Sequence, residues 1–142
     1  MKGIKELYSI YSKIEKELIL HQFYKPEAID FSKRTNISPV NESLQVSHLT
    51  LEENQTFKPH KHILYERSMP MAQESWVVIS GEVEVIYYDI DDKVIELKTL
   101  SPGDVTITYR GGHNYRALKS NTIVYEFKTG PYLGIDKDKV HI

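Results

Sequence analysis

The sequence predicts an all-β protein, an antiparallel barrel preceded by a single N-terminal α-helix. Three observations predict it. Downstream of Pro26 the chain breaks into short runs rich in β-branched and aromatic residues. Polar or glycine-bearing turns separate those runs, among them Ser80-Gly81, Asp91-Asp92, Ser101-Pro102-Gly103-Asp104 and Gly111-Gly112. Upstream of Pro26, apolar residues recur instead at helical intervals. A chain of 142 residues supports one compact core, read here as a helical segment over residues 1–30 and a barrel with a short C-terminal tail over residues 31–142.

Each element has its own justification. Over residues 4–20, Ile4, Leu7, Tyr8, Tyr11, Ile14 and Leu18 fall three or four apart, and Lys5, Glu6, Lys13, Glu15, Lys16 and Glu17 fill much of the remainder. That spacing predicts an amphipathic helix packed across the barrel. Strands are expected over residues 44–52, 74–79, 83–89, 94–100, 105–108, 114–118 and 122–128, the rhythm of an antiparallel barrel or sandwich. The run Gly130-Pro131-Tyr132-Leu133-Gly134 ends the last strand, and residues 137–142 form the tail.

Composition narrows the function. The 18 Lys and Arg against 20 Asp and Glu leave no field of one sign to draw the protein to nucleic acid, so a small-molecule ligand is expected. The charged start, Met1-Lys2-Gly3-Ile4-Lys5-Glu6, carries no uninterrupted apolar core, and no segment is long enough to span a bilayer. The expectation is a cytoplasmic protein with no membrane partner. With no cysteine, any metal must be held by His, carboxylate or water. No Ser-His-Asp order, phosphate-binding glycine loop or dinucleotide fingerprint is present, which argues against serine hydrolase, kinase and Rossmann dehydrogenase chemistry.

The chemistry-bearing residues are few. His60 and His62 are two apart, so both imidazoles face one side if the segment is extended. Glu74 opens the run Glu74-Ser75-Trp76-Val77-Val78-Ile79, which ends at the Ser80-Gly81 turn and places a carboxylate at a strand start. His113 follows the turn Arg110-Gly111-Gly112 and brings an imidazole from a distant hairpin. Trp76 shares the face of Glu74 and Tyr115 that of His113, while Tyr125 is placed to reach the interior from the last strand. These three are candidate substrate-binding residues; packing in the barrel wall is the ordinary role for each. His21, His48 and His141 have no partner at ligand spacing, and Gln73, Arg110 and Arg116 read as ordinary polar positions.

The segments His60-Lys61-His62, Glu74 with six residues before Gly81, and Gly103 through His113 resemble the two motifs of the cupin superfamily. The resemblance spans roughly residues 44–128 and implies a jelly-roll barrel of two packed sheets. It implies that His60, His62, Glu74 and His113 hold one divalent metal ion, and it implies a homodimer. Borderline donors of this kind suit Fe, Mn, Ni, Co or Zn. The chain departs from the pattern at residues 63–73, longer than the usual spacer and containing Glu66 as a rival ligand. It departs again at Tyr109, which replaces a proline, and at His113, one residue closer to Gly103 than is common.

The Gln73-Glu74-Ser75-Trp76 start and the Tyr125-Glu126-Phe127-Lys128-Thr129-Gly130-Pro131-Tyr132 ending resemble the small cupins encoded with bacterial surface-polysaccharide biosynthesis. That resemblance implies action on, or binding of, a small polar metabolite such as a sugar or sugar derivative. Isomerase or epimerase and oxygenase chemistry both stay open, because an ion with free positions polarises substrate oxygens or, as iron, activates dioxygen. The alternative is a non-catalytic small-molecule-binding module on the same fold.

Overall fold

The computed structural model describes residues 6–26 and 34–142, and the fold is built almost wholly from antiparallel strands. Strands β1 (Glu6–Tyr11), β2 (Ile19–Lys25), β8 (Val105–Thr108), β5 (Glu74–Ser80) and β10 (Ile123–Lys128) form one sheet in the order β1-β2-β8-β5-β10. Strands β7 (Val94–Leu100), β6 (Val83–Tyr88) and β9 (His113–Ala117) form a second, in the order β7-β6-β9. The short strands β3 (Arg34–Asn36) and β4 (Ser47–Leu49) pair with each other, and α1 (Ile135–Asp138) is a single turn of helix near the C-terminus.

The two larger sheets pack face to face. Ile10, Phe23 and Val78 from one meet Val83, Val85, Tyr87 and Leu100 from the other in a buried cluster. Period-two alternation in β6, with Val83, Val85 and Tyr87 buried, is what aims these side chains inward. Each fully buried side chain of this size contributes about 1.5–3 kcal/mol. A second cluster, Tyr24, Ile37, Val105, Ile107 and Tyr109, lies on the other face of the five-stranded sheet, where Leu44 and Val46 pack against it. β8 is therefore buried along its whole length, with apolar or threonine side chains on both faces.

The all-β expectation holds, and six of the seven expected strands recur within a residue or two of their bounds, as β5 to β10, while of the expected strand over residues 44–52 only β4 is extended. The sheets are open and do not close into a barrel among the described residues.

The expected N-terminal helix is replaced by a hairpin, β1 with β2, over the part of residues 4–20 that the structure describes. The apolar residues there are largely aromatic or β-branched, which suits two short strands as well as one helical face. The polar run between them is taken up by a turn. Ser12 Oγ accepts from the Ile14 and Glu15 amides at 3.0 Å each and donates to Asp89 Oδ1 at 2.6 Å. Lys13 N donates to Asp89 Oδ2 at 2.7 Å. Ile4 and the 30/31 boundary lie outside the described residues, and β2 joins the core sheet through β8. No helix among the described residues is long and apolar enough to cross a membrane.

Candidate functional site

Glu74 and His113 meet between the two sheets. Glu74 begins β5 and His113 begins β9, and Glu74 Oε1 lies 3.3 Å from His113 Nε2. Two turns create this approach. Gly81, at φ +80°, closes the β5–β6 hairpin, and an added Cβ there would lie 2.3 Å from Thr122 Oγ1. Gly111, at φ +78°, precedes β9, and its Cβ would lie 2.6 Å from the Tyr88 carbonyl oxygen. Both positions require a residue without a side chain.

An aromatic wall adjoins the pair. Trp76 stacks on Tyr115 with ring centroids 3.7 Å apart and planes 14° from parallel, and the Tyr115 ring lies 5.2 Å from that of His113. Trp76 Nε1 donates to Glu126 Oε2 at 3.0 Å, a partner that strand alternation in β10 and its pairing with β5 supply. The Tyr115 hydroxyl and His113 Nδ1 are buried without a hydrogen-bond partner among the described residues. Such atoms are costly unless a ligand or water satisfies them.

Electrostatics favour a charged carboxylate. Burial works to raise the Glu74 pKa, but the hydrogen bond and charge of His113, and then Lys128 and Lys139, hold it below the usual carboxylate range. Burial, with Glu74 next, pushes the Tyr115 phenol well above its ordinary value, so it stays protonated.

A buried histidine supports the floor. His21 Nε2 donates to the Tyr88 carbonyl oxygen at 3.0 Å, which leaves Nδ1 to accept from Thr108 Oγ1 at 3.0 Å. Thr108 is the β8 partner of Glu74. Burial lowers the His21 pKa to about 4.

His60 and His62 do not join Glu74 and His113. Among the described residues no group of three or more His, Asp or Glu is placed to hold one ion. Both histidines are exposed on an arm, residues 51–72, that carries no strand. Their rings do lie together, with centroids 5.7 Å apart. Glu66 is exposed on the same arm.

The other predicted positions divide. Trp76 and Tyr115 line the site. Tyr125 does not: it pairs with Val77 across β10 and β5, on the face away from Glu74, and is 58% exposed. The β10 register decides this, with a bulge between Ile123 and Val124. His48 bonds the Tyr24 hydroxyl through Nδ1 at 2.9 Å, and Arg116 pairs with Glu84 at 2.8 Å.

Sequence reasoning missed a buried clamp at the root of the arm. Gln73 Oε1 accepts from the Leu44 amide at 2.8 Å, and Gln73 Nε2 donates to Glu42 Oε2 at 2.7 Å. Arg110 donates to both Glu42 oxygens, at 2.8 and 3.1 Å. Alternation along the Gln73-to-Ile79 run could show that Gln73 is not on the Glu74 face, but nothing local points to Glu42.

A separate apolar cavity of about 480 Å³ lies on the outer face of the five-stranded sheet, lined among others by Tyr24, Val46, His48, Ser75, Val77 and Phe127. No family model, no curated protein and no solved structure matches the chain.

Proposed function

We propose that this chain is a small metal-binding cupin that acts on or binds a small polar metabolite, in the manner of the cupins of bacterial surface-polysaccharide pathways. The observation that carries the reading is the 3.3 Å approach of Glu74 to His113 from opposite sheets. Two of the four motif residues, 39 positions apart in sequence, share one interior point.

Glu74, kept ionised, and His113 would supply two donors to a borderline divalent ion, and His60 and His62, exposed on the arm, would have to be brought to them to make a three-histidine, one-carboxylate set. When bound, such an ion supplies Lewis-acid polarisation of substrate oxygens or, as iron, dioxygen activation.

The chain's own groups set the rest. The face of the Trp76–Tyr115 stack offers apolar contact to a sugar ring or similar body, and the protonated Tyr115 hydroxyl can donate to a substrate oxygen. Glu126 fixes the indole, so Trp76 is held in one orientation.

A second reading is a binding module without catalysis, and the apolar cavity beneath residues 44–49 favours it. Metal analysis of untagged protein, joined to a metabolite-binding screen run with and without chelator, tests both. Ligand binding that needs the ion supports the metal reading; binding indifferent to chelator and abolished by a bulky substitution at Val77 supports the module.

A further inference from the structure

The cavity of about 480 Å³ on the outer face of the five-stranded sheet takes no part in the site between the sheets. Tyr24, Val77, Val105 and Phe127 line it from β2, β5, β8 and β10, and Ile37, Leu44, Val46 and Leu49 line it from the chain around β3 and β4. Its volume lies within the range of about 300–1,000 Å³ usual for small-molecule sites.

Two properties of the lining specify an occupant. The first is the absence of charge. No Lys, Arg, Asp or Glu is among the described residues that line the cavity, so nothing there compensates an ion drawn out of water.

The second is one unengaged polar anchor. Ser75 lines the cavity beside Val77 and is 1% exposed, and its Oγ has no hydrogen-bond partner among the described residues. Strand alternation sends Ser75 to this face and its neighbours Glu74 and Trp76 to the other. The register sets it between Phe127 of β10 and Ile107 of β8, whose side chains offer no acceptor. Other polar side chains of the lining are already engaged. The Tyr24 hydroxyl bonds His48 Nδ1 at 2.9 Å, Gln45 Nε2 donates to the Pro39 and Glu42 carbonyl oxygens at 2.8 and 2.6 Å, and Ser47 Oγ donates to Asn36 Oδ1 at 3.1 Å. A buried hydroxyl left over in this way is a group that a ligand can satisfy.

We propose that the cavity binds a neutral, largely apolar small molecule carrying one hydroxyl or carbonyl group, which meets Ser75 Oγ while the apolar body lies between the sheet and residues 44–49. The proposal rests on the binding-module reading above and adds the class of ligand. It needs no metal, and Glu74 and His113, which lie between the sheets, take no part in it.

The test titrates methyl-labelled protein with n-octanol and, in parallel, with octanoate, followed by NMR. n-Octanol should shift the Val46, Val77 and Val105 methyl resonances saturably and leave those of Met69 and Met71, exposed on the arm, in place. Octanoate should bind about tenfold more weakly, because its charge has no partner in the cavity. Ser75→Ala should weaken n-octanol about fivefold, the worth of one neutral hydrogen bond, while the urea midpoint of the unliganded protein holds level or rises, since the deletion strands no partner. Val77→Trp should abolish the response by filling the cavity, with Leu49→Trp in its place should Val77→Trp not fold. Octanoate bound as tightly as n-octanol, or full affinity in Ser75→Ala, overturns the ligand class and leaves the cavity as the site of a binding module. Silent cavity methyls, equal shifts at Met69 and Met71, or a response that survives the filling substitution overturns the proposal and removes the cavity's support for the module reading.

Discussion

The Glu74 carboxylate and the His113 imidazole, one at the start of β5 and the other at the start of β9, stand 3.3 Å apart across the space between the two sheets. Neither residue reaches the other through local structure. Glu74 is placed by pairing of β5 with β8 and β10, His113 by pairing of β9 with β6, and the facing of the sheets does the rest.

The turn that delivers His113 should tolerate no side chain. Gly111→Ala forces a positive φ on alanine and a Cβ 2.6 Å from the Tyr88 carbonyl oxygen. The expected loss is about 1–3 kcal/mol of stability, read as a lowered urea midpoint with unchanged slope. Gly134→Ala, with nothing within 4 Å of its Cβ, should cost less.

Acid should destabilise the fold through His21. Its pKa falls from 6.5 in the unfolded chain to about 4 in the native state, so between those values the unfolded state binds the extra proton. The contribution is complete above pH 6.5 and is lost as pH falls toward 4, about 3 kcal/mol in all. Stability of the wild type measured across that window should slope downward, and His21→Gln should flatten the slope.

The clamp at the root of the arm should behave as a buried charge pair. Glu42→Ala strands Arg110 and frees Gln73, for a loss of about 2 kcal/mol after allowing for the partial exposure of Arg110. Glu42→Leu combined with Arg110→Met should cost less than Glu42→Ala alone, as a double-mutant comparison by denaturation would show.

Much of the sheet framework was legible in the sequence. Strands such as residues 83–89 and 94–100 announce themselves because alternation, β-branched content and flanking turns all lie within a few residues of one another. The N-terminal hairpin was hidden, since Ser12 closes its turn on Asp89, 77 positions away, and spacing alone allowed a helix. Motif order pointed to Glu74 and His113, which the two sheets bring together, whereas His60 and His62 lie exposed on an arm whose course no local pattern encodes. Tyr125 was misplaced for a related reason, because the face of a strand is set by its register with a neighbour.

Trp76 is the only tryptophan and sits on the face of Glu74, stacked on Tyr115. Its fluorescence should therefore report the site. Adding Ni(II) or Co(II) to metal-free protein should change the emission saturably, and the change should be absent in His113→Ala. An equal response in both proteins would place the ion elsewhere.

The most direct measurement is metal stoichiometry by elemental analysis in purified wild type, His62→Ala, His113→Ala, His141→Ala and Glu66→Gln. The metal-centred account predicts one ion per wild-type chain, loss of most of it in His62→Ala and His113→Ala, and no change in the other two, since removing one of four donors leaves an under-coordinated ion. Full metal retained by both His62→Ala and His113→Ala would contradict it.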